Sequence, residues 1–261
     1  MHNFKYQPFL KAVVCISFLL NTSALTASPI SSEEHSISEV TKSKQSKSEW
    51  LAIIDYSYNY IKQQQDALIV EKNESGFYRI YLPAPGSLKS VEKLRLHYWP
   101  IDSSTQILEE SIHDHPKLFE SYIVNGGYRH VLYNKSDTLA ASALDNSKYT
   151  IFKVNKLQKG FDVVGQTYLH ETQIEKAREK AIVVMPTDVI HRVLTYVPGT
   201  LSMNIVYEDR TNKDYYNVFI SENGSEKDVK TERASLVGTE KASIIKEVLA
   251  RLFNSIFQRE E

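Results

Sequence analysis

The apolar positions of this chain change their period twice. Trp50, Ile53, Ile54, Tyr58 and Ile61, with Ser57 in the same row, recur at helical spacing and predict an amphipathic helix of about four turns, with Ser48 as its cap. From Tyr78 the period shortens to two, the repeat of strands whose side chains alternate between faces. Residues 78–82, 93–99, 112–115, 119–124, 128–133, 149–154, 161–169, 181–185, 191–196, 201–207 and 215–221 are short, rich in Tyr, Val and Ile, and separated by Gly, Pro, Asn or Asp. So many short strands predict an all-β fold, a jelly-roll β-barrel with flanking N- and C-terminal α-helices. Residues 171–180 read as an insertion between strands, helical or irregular. In 239–261 the helical period returns, with Ile244, Ile245, Val248, Leu249, Leu252, Phe253, Ile256 and Phe257 on one stripe. A stripe that wide needs a cover, either the outer face of the barrel or a second copy in a homodimer. Membrane contact is disfavoured, because Lys246, Arg251 and Arg259 are balanced by Glu240, Glu247, Glu260 and Glu261.

Ahead of the first helix the texture is different. Lys5 and Lys11 flank the start of an apolar run over 12–20, and Thr22, Ala24 and Ala27 supply small residues, the pattern of a secretory signal peptide over 1–24 cut near Ala24 or Ala27. The run is shorter than the roughly 20 apolar residues a span requires, so no stable membrane span is expected after cleavage. The mature protein is expected in the periplasm or outside the cell. Residues 25–48, rich in Ser, Lys and Glu, read as a flexible linker, 49–221 as the barrel with its N-terminal helix, and 222–261 as a linker and the C-terminal helix.

Charge and cysteine content narrow the function. Cys15, the single cysteine, lies in the leader, so the mature domain has neither disulfides nor a thiolate nucleophile. Losing Lys5 and Lys11 moves the net charge from −1 to −3, and no basic block is present, which argues against a nucleic-acid partner. A small-molecule substrate or ligand is the expected partner.

The candidate chemistry lies in two segments, His113-Asp114-His115 with Glu120 and Gly127, and Pro186-Thr187-Asp188-Val189-Ile190-His191. Residues two apart on a strand share a face, so His113 and His115 can converge on one ion, joined by Glu120 from the next strand and by His191 from a distant one. Three neutral imidazoles with a carboxylate suit Fe(II), Mn(II), Ni(II), Cu(II) or Zn(II), and leave open positions on an octahedral ion. A His-x-His pair alone is a common polar strand; the specificity comes from four ligand types at two spacings. His97 and His130 are expected on strand surfaces or pocket walls, and Tyr98, Trp99 and Tyr122 in the core or barrel lining.

These residues resemble the cupin superfamily, whose motifs read G-x5-H-x-H-x3,4-E-x6-G and G-x5-P-x-G-x2-H-x3-N. The first holds from His113 through Glu120 to Gly127. The second keeps Pro186 and His191, while Lys180 and Asp188 stand at its glycines and Thr195 at its asparagine. Residues 94–133, with His191-Arg192-Val193 and 201–205, are similar to the cysteine dioxygenase-like branch. That resemblance covers 77–221. It implies Fe(II) on the three histidines and an arginine on an early strand as the substrate carboxylate anchor, a role carried onto Arg79. The branch's cysteine position is Glu120 here, and its Ser-x-His-x-Tyr relay is Ser202-x-Asn204-x-Val206, with Tyr207 on the opposite strand face. Cysteine itself is therefore not the expected substrate.

Two function classes follow. One is an exported, metal-dependent cupin enzyme, an iron-dependent oxygenase acting on a small carboxylate-bearing substrate. The other is a non-catalytic cupin that binds a small ligand or a partner protein in the envelope or outside the cell.

Overall fold

The computed structural model describes residues 42–73, 75–101, 111–137, 147–155, 160–208, 214–224, 229 and 233–257. The expected signal peptide and all but the end of the linker lie outside the described residues. Helix α1 (Lys47–Gln63) is capped by Ser46 rather than Ser48. The reason is a reciprocal pair: Ser46 Oγ accepts from the Glu49 N–H at 3.3 Å, and the Ser46 N–H donates to the Glu49 carboxylate at 2.6 Å. Ser48 has Leu51 three residues on, which cannot return such a bond.

Thirteen strands follow among the described residues. They are β1 (Ile69–Asn73), β2 (Tyr78–Leu82), β3 (Val91–Tyr98), β4 (Ile112–His113), β5 (Phe119–Asn125), β6 (Gly127–Ser136), β7 (Ser147–Asn155), β8 (Phe161–Arg178), β9 (Ile182–Met185), β10 (Ile190–Tyr196), β11 (Leu201–Tyr207), β12 (Tyr215–Ser221) and β13 (Arg233–Ser235), with helix α2 (Gly238–Phe257) closing the order. Two antiparallel sheets result. One runs β13-β1-β2-β3-β11-β5-β9, and the other, β10-β4-β12-β7-β8-β6, closes on itself where β6 pairs with β10. The architecture is an all-β jelly roll with flanking helices.

Segment 171–180 is no insertion. Through Arg178 it is the second half of β8, paired with β6 from Gly127↔Arg178 to Tyr133↔Glu171. Its exposed, charge-rich sequence hides the alternation that would mark a strand. Strands β1 and β13 carry no clear pattern either, and exist because they extend one edge of the seven-stranded sheet.

The seven-stranded sheet has two different faces. Tyr78, Ile80, Leu82, Leu94, Leu96, Tyr98, Tyr122, Val124, Leu201, Met203 and Ile205 point to one side, where Trp50, Ile53, Ile54 and Ile61 of α1 and Ile244, Ile245, Val248 and Leu252 of α2 cover them. Most of the C-terminal stripe is thus buried on the outer face of the seven-stranded sheet, while Phe253 and Phe257 at its end stay exposed. Trp50 stacks on Tyr122 at 5.6 Å, and the Tyr98 hydroxyl reaches Glu247 of α2. Each fully buried Leu or Ile here contributes about 1.5–3 kcal/mol. No helix among the described residues is long and apolar enough to cross a membrane.

Two turns carry backbone strain. Lys180 and Asp188 adopt φ of 65° and 64°. These are the two positions at which the resembled motif has glycine, and the left-handed conformation is what glycine permits there. Gly127 is needed for a different reason, since a Cβ on it would lie 2.4 Å from the Ala177 carbonyl oxygen of the neighbouring strand. Replacing Lys180 by glycine should remove the side-chain clash at the cost of a more flexible unfolded chain, a net gain of about 0.5–1 kcal/mol. A urea midpoint equal to or below that of the native chain would refute the strain.

Candidate metal centre

His113 closes the two-residue strand β4, which pairs on one side with β10 (His113↔His191) and on the other with β12 (His113↔Val218). So short a strand is positioned by its neighbours, and Asp114 fixes it. The Asp114 carboxylate accepts from the Asn217 N–H at 2.7 Å and from the Asn217 side-chain amide, while the Asp114 N–H donates to the Asn217 carbonyl at 3.1 Å. His115 follows immediately, and its carbonyl accepts from the Asp188 N–H at 3.1 Å, tying the two histidine segments together.

Strand alternation and cross-strand pairing bring His113, His115 and His191 to one point. Their ligating nitrogens lie within 4.8 Å of one another, and Nε2 of His115 is 3.3 Å from Nε2 of His191. Ring centroids are 4.7 to 4.9 Å apart. Nitrogens bound at about 2.0–2.1 Å to one ion would be about 3.0–3.4 Å from each other, so small side-chain adjustments complete the site. Two of the rings are already held for this. Nδ1 of His113 donates to the Ser111 carbonyl at 2.8 Å and Nδ1 of His191 to the Val189 carbonyl at 3.3 Å, which leaves each Nε2 lone pair for a metal. Burial, and then repulsion from His113, lowers the His191 pKa well below its usual value, so that ring is neutral, the form a metal requires. The donor set fits a divalent transition ion.

Glu120 does not join them. It is fully buried, but it shares the helix-covered face of β5 with Tyr122 and Val124, and its carboxylate accepts from Ser43 Oγ and the Lys44 N–H, each at 2.6 Å. The side chain that β5 directs at the histidines is Phe119, whose ring lies 4.6 Å from that of His115. The physical reason is phase. Phe119 and Glu120 are consecutive in β5 and so face opposite ways, and Glu120 falls in the row of Tyr122 and Val124 that the helices cover. A ligand set of three histidines and a carboxylate is therefore corrected to three histidines, and the end of the expected linker is in fact held against the outer sheet by Glu120.

Arg79 lies on β2. It lines the same cavity as His113 and His115, is 8 % exposed, and donates from Nε to Nε2 of His97 at 3.3 Å. Arg95 was not singled out from sequence, although a signal existed. In Leu94-Arg95-Leu96-His97-Tyr98 the arginine and histidine share one face and the apolar residues the other. Arg95 lines the cavity beside Arg79. His130 is buried nearby, with Nε2 2.6 Å from a Glu175 carboxylate oxygen, so that nitrogen is engaged away from the trio. Ser202 and Asn204 also line the cavity, with the Asn204 amide donating to Ser202 Oγ at 3.2 Å, whereas Tyr207 lies in the helix-covered core.

No protein-family model and no curated protein matches this sequence. Among solved structures, the chain is similar to oxalate decarboxylase from Bacillus subtilis at pH 4.6, with 11% identity and a TM-score of 0.30 over 56% of this chain and 28% of that one. A tryptophan-to-tyrosine variant of that enzyme gives 10% identity and a TM-score of 0.28 over 56% and 29%. The chain thus matches less than a third of the length of these enzymes. What the strand order and the three histidines define by themselves is a jelly roll with a candidate three-histidine metal site, an arrangement that fits the cupin pattern.

Two outcomes test the site. His113→Ala and His191→Ala should each abolish stoichiometric metal in elemental analysis, while Glu120→Ala should keep it and lose about 2–4 kcal/mol of stability through two charge-assisted hydrogen bonds. Metal loss in the Glu120 variant would restore it to the ligand set. Acidity gives the second. Burial first, then the Arg95 and Arg79 charges, lowers the pKa of His97 well below its usual value, as burial does for His191. Unfolding below pH ~6.5 therefore takes up protons, and metal-free stability, complete above that pH, should fall by about 1.4 kcal/mol per pH unit for each such histidine as the pH drops toward the folded pKa. Urea unfolding at a series of pH values measures it; a flat profile between pH ~7 and ~5 would contradict the buried neutral rings.

Proposed function

We propose that this protein is an exported, metal-dependent enzyme of cupin type that holds one divalent ion, Fe(II) by preference, on His113, His115 and His191 and acts as an oxygenase on a small carboxylate-bearing substrate. The observation that supports it is the convergence of three imidazole nitrogens in a cavity also lined by the buried Arg79. Export to the periplasm or outside the cell is our inference from the apolar run over 12–20 with its flanking Lys5 and Lys11 and the small residues after it.

Each part of the cavity has a task. The three imidazoles would hold the ion, which when bound supplies a Lewis-acidic, redox-capable centre with open positions. Arg79 holds the substrate carboxylate, oriented by the bond from its Nε to His97. Phe119, Trp99 and Tyr128 wall the space between and exclude water. Ser202 and Asn204 offer polar groups where the resembled relay has its serine and histidine, but Tyr207 points away, so no tyrosine from this strand reaches the reacting centre. A relay of the thiol-oxidising kind is absent from these positions, which favours a carboxylate without a thiol.

An oxygen electrode tests the reading on iron-loaded mature protein screened against small carboxylates and thiols. Oxygen uptake with a carboxylate is expected, and Arg79→Ala should raise KM by roughly 10- to 100-fold, the loss of one charge-assisted pair, with metal content unchanged. Inactivity of fully loaded protein across the screen would replace this reading with the non-catalytic one, a cupin that binds a ligand in the same cavity.

A further inference from the structure

The cavity is more cationic than one carboxylate requires. Its wall carries Arg79, Lys93, Arg95, Lys117 and Arg233 against Glu92, in a chain whose net charge is −1. Most of those cations are already matched. Lys93 and Lys117 both pair with Glu92, and Arg233 lies 3.7 Å from Glu71 and donates to the Tyr81 hydroxyl at 3.1 Å. Arg79 and Arg95 feel Glu71 and Glu92, but those carboxylates are within ion-pair distance of Arg233, Lys93 and Lys117 instead, and Arg79 Nη1 and Arg95 Nε are buried with no hydrogen-bond partner among the described residues. The pairing Arg79↔His97 and Tyr81↔Arg95 makes the two arginines diagonal neighbours on one face of β2 and β3, a separation of roughly 7–8 Å between backbones. Two guanidinium groups this close repel, and the Arg79 bond to His97 with the attraction of Tyr81, Glu71 and Glu92 offsets only part of the cost of enclosing a buried Arg79 and a half-buried Arg95.

We propose that Arg79 and Arg95 together form a two-point seat for a small dianion, a molecule carrying two negative charges as a dicarboxylate or a phosphate group, beside the three histidines. The inference rests on the reading of this cavity as a site for a small anion and adds the charge the ligand must carry. A monocarboxylate satisfies one guanidinium and leaves the other desolvated and unpaired; a dianion satisfies both. Burial followed by repulsion from Arg233 lowers the Arg79 pKa, and burial followed by repulsion from Arg79 lowers that of Arg95 to about 9. The cavity volume of about 140 Å³ suits a metabolite-sized molecule.

Calorimetric titration of the mature protein, as purified and after chelator treatment, with propionate, malonate and inorganic phosphate at about pH 8 tests this, because both malonate carboxyls are ionised there. Malonate or phosphate should bind roughly 10- to 100-fold more tightly than propionate, the value of one added charge-assisted pair, and which of the two wins identifies the source of the dianion. Equal affinity for all three probes, or binding of none, overturns the proposal without any variant. Arg95→Gln should bring malonate and phosphate down to the propionate level and leave propionate on Arg79, and Arg95→Lys should keep part of the preference; a preference undiminished in Arg95→Gln also overturns it. Metal content of the same samples separates the two readings. Metal bound without a dianion preference defeats this inference alone, and a preference without metal leaves it standing while defeating the metal-dependent enzyme.

Discussion

Two-residue alternation in β2, β3, β5 and β11 governs both the stability and the chemistry of this molecule. On each strand, one set of side chains lies under α1 and α2, and the intervening set faces the cavity. Leu94, Leu96 and Tyr98 belong to the first set, Arg95 and His97 to the second. The helices supply the apolar cover that lets the outer set bury itself, and that burial holds a polar inner set that could not assemble by its own attraction. A slip of one residue in any of these strands would place arginines under the helices and leucines in the cavity.

The histidines depend on a second, local constraint. Strand β4 is two residues long and is sandwiched between β10 and β12. Asp114, facing away from the cavity, grips Asn217 through backbone and side chain and so fixes where His113 and His115 point. Rings whose Nδ1 atoms are already committed to backbone carbonyls need little reordering to accept an ion, which is how second-layer contacts raise affinity without touching the metal.

Electrostatics sets neutral imidazoles and cationic guanidinium groups side by side in the cavity, with His97 bonded to Arg79. Burial lowers the pKa of His191 and of His97, and it also lowers those of Arg79 and Arg95 in the same enclosure. Neutral imidazoles beside unmatched guanidinium groups are a setting in which both a cation and an anion find partners, each reducing the repulsion the other would feel. Glu120, the carboxylate expected to balance the ion, is occupied on the far side of the sheet with Ser43 and Lys44.

Periodicity and spacing in the sequence were enough to determine the strand-rich fold, both helices and the three histidines, because alternation and the helical repeat are local properties and the His-x-His and Pro-x4-His spacings survive intact. Arg79 was legible as a residue but not as one of a pair. The outward turn of Glu120 was decided only in the tertiary structure, where the phase of β5 against His115 selects Phe119. The same holds for 171–180, which becomes strand only because β6 offers it a partner, and for the meeting of Arg79 with Arg95, which arises from the register of β2 on β3. Register is a relation between segments, set by what each face must bury, and no single segment carries it.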